Sequence, residues 1–114
     1  MRSRRLTSAL PDDLAPMLLK IGQDLSLARR IRRMSQDELA HRLSASRKLI
    51  ARMEKGDPTA SFGAYAMAAW VLGLTKNFEE VFSPERDPVF QRESRLAVPR
   101  KVRKKSGADE SPYF

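Results

Sequence analysis

The segment SQDELAHRLSASRKLIARMEKG, Ser35 to Gly56, most narrows what this chain can fold into. It holds two helical patterns of apolar residues. Each is too short to persist alone in water, where isolated helices below about 12 residues are marginal. Each also opens on a residue suited to a helix N-terminus. Ser35 and Glu38 form a Ser-x-x-Glu capping box, in which each side chain satisfies an otherwise unpaired amide of the other residue. Ser46 caps the second pattern, and Gly56 ends it, because glycine takes the left-handed terminal conformation without strain. Only Ser44-Ala45-Ser46 separates the two, so they are expected to fold as a tightly turned pair resting on other elements.

The second pattern is sided. With about 100° between successive residues, Arg47, Ala51, Lys48 and Arg52 fall in one half of the helix, and Leu49, Met53 and Ile50 in the other. Burying the apolar half drives the cations outward. A short exposed helix with a narrow positive face, and a small residue in its middle for close approach, fits the major groove of DNA. Arginine and lysine are the residue types that pair with guanine O6 and N7 or with phosphate. The bland alternative is a solvated basic face. The tight turn, the paired caps and the chain's net charge count against it.

That charge is +8, from 22 Lys+Arg against 14 Asp+Glu in 114 residues, and it favours a polyanionic partner. The length suits one domain with tails. The absence of cysteine excludes disulfides and thiolate metal sites. No apolar run reaches membrane-spanning length. The start, MRSRRLTSAL, lacks the apolar segment of a signal peptide, so a cytoplasmic location is expected. Residues 1–15 read as a flexible arm, 16–83 as the folded domain, and 84–114 as a disordered basic tail carrying PRKVRKK at 99–105.

An all-α domain of five helices is predicted. The first runs from Met17 to Arg33, with Pro16 in its opening turn and Ile21, Leu25, Ala28 and the stem of Arg32 facing inward. In the second, Leu39, Ala40 and Leu43 form the buried side. The fourth runs from the Ser61 cap to Leu72, stopped by Gly73, and the fifth from a Thr75 cap to Phe82. On the fourth, Phe62, Tyr65, Ala69 and Leu72 make one stripe, while Met67 and Trp70, with Leu74 beyond, make another. So short a helix cannot bury both within one small domain. Trp70, Met67, Leu74 and the Phe78, Val81 and Phe82 of the fifth helix are therefore expected to form a homodimer or partner surface; the alternative lays Trp70 across the domain's own C-terminal segment.

Ser35 to Gly56 resembles the helix-turn-helix of the Cro/C1-type (xenobiotic-response-element) repressors: Ser-Gln, an acidic residue, Leu-Ala, a short turn, Ser, an apolar residue four on, then Glu-x-Gly. The resemblance extends over about Gly22 to Phe82 and implies a lambda-repressor-like fold. It implies that Ser35, Gln36 and Ser46 contact DNA phosphates. Arg47, Lys48 and Arg52 match base-reading positions, with Ala51 among them and Leu49 either touching a thymine methyl or packing on the flank. It also implies a structural ion pair between Arg29 and Glu54. The chain departs from the family's pattern at Ser44 and Arg33, where glycine is frequent, which leaves the angle between the helices open.

EKGDPTASFGAYAMAAWVLGL and the later AVPRKVRK are similar to the HipB-like branch, dimeric antitoxins that repress their own operon and bind a HipA-type Ser/Thr kinase. A homodimer on a palindromic operator and a kinase toxin partner are the expectations this carries. A stand-alone phage or stress regulator is the runner-up. Arg2, Arg4 and Arg5 as a minor-groove arm, and Arg100 to Lys105 as phosphate or kinase contacts, compete with plain mobility. An enzyme is disfavoured. His41 is the only histidine, the acidic pairs Asp37-Glu38 and Glu79-Glu80 splay around their helices, and there is no glycine-rich phosphate loop. Neither a cofactor nor a metal is expected. A membrane-surface protein is disfavoured because the basic tail lacks interleaved large apolar residues. An adaptor that binds only protein would keep all its binding after Arg47→Ala with Arg52→Ala.

Overall fold

The computed structural model describes residues 10–93, which are all-helical, with six α-helices, one 3-10 turn and no strand among them. In chain order the helices are α1 (Leu14–Ile31), α2 (Gln36–Leu43), α3 (Arg47–Glu54), α4 (Phe62–Leu72), α5 (Thr75–Glu79) and α6 (Pro88–Glu93), with the 3-10 turn at Pro84–Arg86. The chain divides into two compact units between Phe78 and Glu79.

In the first unit α1 packs against α3, and α2 packs against both α3 and α4. Leu39, Ile50 and Met53 are fully buried at the centre, joined by Ala40, Ala60 and Ala68. Leu25, Met34, Leu43, Leu49, Ala64, Tyr65 and Val71 close around them, half-buried. Burying one such large aliphatic side chain contributes about 1.5–3 kcal/mol. Three serine caps set the starts of the short helices. Ser35 Oγ accepts from Glu38 N at 3.0 Å while Ser35 N donates to Glu38 Oε1 at 2.8 Å. Ser46 Oγ accepts from Leu49 N at 3.1 Å, and Ser61 Oγ from Ala64 N at 3.0 Å.

Four expectations need correcting. First, α1 begins at Leu14 and ends at Ile31, rather than running from Met17 to Arg33, and Pro16 lies in its first turn as expected. Second, α1 is rotated: Leu18, Gly22, Leu25 and Arg29 face the interior, whereas Ile21 is 42% exposed and Arg32 lies outside, bonded to its own helix at Ala28 O. Gly22 is the reason. A Cβ there would lie 2.6 Å from Glu54 O and 2.7 Å from both Gly56 N and Met53 O, so only glycine lets α1 sit directly on the end of α3. Gly56, at φ +78°, completes the interlock, since its own Cβ would meet Leu18 O at 2.6 Å.

Third, Phe62 is 65% exposed rather than buried. It stacks obliquely on Phe78 at 5.4 Å between ring centres, and Ala68, Ala69 and Leu72 supply the buried side of α4. Fourth, α5 starts at Thr75 itself and stops at Glu79, before Val81 and Phe82. In the second unit, Pro84–Arg86 and Pro88–Glu93 are helical, with Asp87 extended between them, where a disordered tail was expected. Ser83 Oγ accepts from Glu85 N at 3.2 Å to open the 3-10 turn, and Asp87 Oδ1 accepts from Val89 N at 3.0 Å to open α6. The expectations for the arm arginines and for the basic run at 99–105 lie outside the described residues.

Candidate nucleic-acid interface

The α2–turn–α3 pair is held from beneath by one ionic network. Arg29, on the inner face of α1, donates Nε to Glu54 Oε2 at 2.6 Å and Nη2 to Oε1 at 3.0 Å, a bidentate pair whose side chains are 10% and 8% exposed. Its remaining arm, Nη1, donates to Met34 O at 2.8 Å in the link before α2. Gln36 Nε2 donates to Glu54 Oε1 at 3.0 Å from the first residue of α2. Four segments, the end of α1, the link, the start of α2 and the end of α3, are therefore joined through the Arg29–Glu54 pair. Burial opposes ionisation of Glu54, but hydrogen bonds from Arg29, Gln36 and Ser26 outweigh it and hold the carboxyl below its ordinary range. The same hydrogen bond, donated by Arg29 to Glu54, against a smaller opposing effect of burial, raises the Arg29 guanidinium above its usual value.

Two strained residues bracket α2. Arg33 and Ser44 both have φ of +56°, a left-handed conformation that side chains other than glycine's adopt at some cost. These are the two positions where the resemblance leads one to expect glycine. At the end of α2, Ala45 N bonds to Ala40 O at 2.8 Å and Ser44 N to His41 O at 3.1 Å, closing the helix through that left-handed residue.

On this platform α3 turns Arg47, Lys48 and Arg52 to solvent and buries Ile50 and Met53 completely. Arg47 stands 3.7 Å from Asp37 across the turn. Arg52 Nε donates to Asp57 Oδ2 at 2.7 Å and its Nη2 to Thr59 Oγ1 at 3.3 Å. Ala51 is half-buried between the cations. Leu49 is half-buried against the core, the flank-packing alternative. Ser35 and Ser46 use their oxygens as caps, which leaves each hydroxyl proton able to meet a further acceptor. Gln36 is committed to Glu54 through one amide proton, a partner the sequence reading missed.

Elsewhere in the first unit, Trp70 is 67% exposed and Met67 44%, while Leu74 and Phe78 are half-buried. In the second unit, Val81 and Phe82 are exposed. Among the described residues, no group of three or more His, Cys, Asp or Glu side chains is placed to hold a metal ion, and no helix is long and apolar enough to cross a membrane.

Comparison with protein-family models, with curated proteins and with solved structures found no match to this chain.

Proposed function

We propose that this chain is a sequence-specific DNA-binding repressor with a lambda-repressor-like helix-turn-helix, α3 being the helix that enters the major groove. The observation that carries this reading is the sidedness of α3: Ile50 and Met53 are sealed in the core while Arg47, Lys48 and Arg52 stand outside, on a helix whose seat is braced by the Arg29–Glu54–Gln36 network. A positive edge of this kind gains affinity from phosphates and discrimination from base edges, and each good bidentate arginine–guanine contact contributes about 1–3 kcal/mol. One such helix reads few base pairs. A homodimer would present two, on palindromic half-sites about 34 Å apart.

The antitoxin reading, HipB-like with autoregulation and a HipA-type kinase partner in the cytoplasm, rests on the resemblance of residues 54–74 and on the apolar arc of α4. Trp70 and Met67 lie on that arc, outside the core. DNase footprinting of DNA upstream of the protein's own gene, at low and moderate salt, is the direct test. A protected palindrome whose affinity falls steeply with salt is expected, and no protection at any ionic strength would overturn the proposal. Arg47→Ala with Arg52→Ala should abolish the footprint yet leave kinase binding intact.

A further inference from the structure

We propose that Asp57, together with Thr59, is a positioning residue that aims Arg52 end-on at a guanine; this rests on the DNA-binding reading above. A guanidinium has two ways to fork. The side edge offers Nε–H with the inner Nη2–H, and the end offers Nη1–H with the outer Nη2–H. In Arg52 the side edge is taken, by Asp57 Oδ2 on Nε at 2.7 Å and Thr59 Oγ1 on Nη2 at 3.3 Å. The end fork remains, with the side chain half exposed, and its two parallel donors match the O6 and N7 acceptors of guanine in the major groove.

The clamp is itself held rigid. Asp57 Oδ1 accepts from Thr59 N at 2.8 Å and from Thr59 Oγ1 at 2.7 Å, so the hydroxyl donates to Asp57 and its lone pair is turned to Arg52. Tyr65 on α4 donates its hydroxyl to Asp57 O at 2.9 Å and ties the backbone of this turn to the core. A lysine-like free arm samples many directions and pairs with any nearby phosphate. An arginine stapled along one edge has given up that freedom before DNA arrives, which favours one base over the backbone. The same carboxylate repels phosphates, so it lowers affinity for DNA in general while raising selectivity.

The competing view makes the cluster a staple of the turn after α3 and nothing more. The full chain is used to select duplexes from a randomised library. Competitive gel shifts then compare wild type, Arg52→Ala, Asp57→Asn and Thr59→Val on the selected duplex and on each single-pair substitution of it, with melting curves confirming that each variant is folded. Arg52→Ala identifies the base pair that this residue reads. Asp57→Asn is expected to cut the preference for guanine at that pair roughly tenfold and to raise affinity for non-selected DNA. Thr59→Val is expected to weaken the same preference less. In the Arg52→Ala background, Asp57→Asn should change no base preference. A uniform loss across all sequences, or a change of preference that survives Arg52→Ala, overturns the inference. If wild type selects a sequence and the two clamp variants read it unchanged, the inference alone falls. If wild type selects nothing, the DNA-binding reading falls and takes this inference with it.

Discussion

Helices α3 and α4 lie close in sequence and bury comparable faces, yet they do so for opposite reasons. RKLIARME has four charged residues among its eight, so its orientation is written in its own pattern: the apolar half goes in and the cations go out. FGAYAMAAWVL has no charge anywhere, and nothing in its own composition says which side to hide. Its neighbours decide. Ala68, Ala69 and Leu72 are taken into the core, and Phe62, Met67 and Trp70 are left outside. A helix with a polar face ends its assembly with its own domain, whereas a helix that is apolar all round keeps a face that another chain can cover.

The largest expected effect concerns what braces α3. Arg29→Ala leaves Glu54 buried without its counter-ion, and a loss of about 3–5 kcal/mol in urea unfolding is expected, as for other broken buried pairs. Glu54→Gln keeps the volume and should cost less, and its pH dependence is diagnostic. Because the folded carboxyl lies below its unfolded value of about 4.3, its stabilisation is complete above that pH and disappears as pH falls through the folded value. Glu54→Gln should therefore flatten the acid side of the stability profile below about pH 4, while wild type falls there.

Next comes the test of the α4 side. If its outer arc is an interface, Trp70→Ala should weaken association by roughly 2–4 kcal/mol, the range of aromatic hot spots, and sedimentation should show monomer. Its fold should barely change, because Trp70 is 67% exposed. Unchanged dimerisation together with unchanged kinase binding would erase the contrast between the two helices.

How much of this was legible follows from range. The three serine caps and the seat of Ile50 and Met53 depend on residues within one turn, and the sequence shows both partners. Arg29 and Glu54 are 25 positions apart, and only a family resemblance paired them. Periodicity misplaces the inner face of α1 because apolar side chains occur all around it: Met17, Leu19 and Leu27 are exposed while Leu25 packs inward. Periodicity cannot choose among so many stripes. An isolated glycine inside the pattern, Gly22, was the available signal, since such a residue usually marks close backbone approach. Gln36 on Glu54 and Asp57 on Arg52 are contacts between side chains that no local rule predicts. The helical turns of residues 84–93 were hidden by Pro84 and Pro88, which read as breaks although proline is also a common opener of helices.

Gly22→Ala measures that approach. Alanine is the better helix former by about 1 kcal/mol, so propensity alone predicts a gain. Three backbone atoms within 2.7 Å of the new Cβ predict the reverse, and none can move without shifting α1 from α3. A net loss of roughly 1–3 kcal/mol is expected in thermal unfolding, with weaker DNA binding as α3 tilts. A net gain would mean that α1 and α3 are less closely seated than the geometry requires.

The smallest effect should be a gain. Ser44 holds φ +56° at the end of α2, where a side chain pays for a conformation that glycine adopts freely. Glycine in turn loses more freedom on folding, by about 0.5–1 kcal/mol, which offsets part of the relief. Ser44→Gly should therefore stabilise the chain by no more than about 1 kcal/mol, seen as a small rise in urea midpoint at unchanged slope. Because the turn already holds this conformation, α3 should keep its seat and its DNA affinity. A marked change in affinity would instead show that the serine shapes the angle between α2 and α3, and that the side chain at this position acts on α3 rather than merely tolerating its turn.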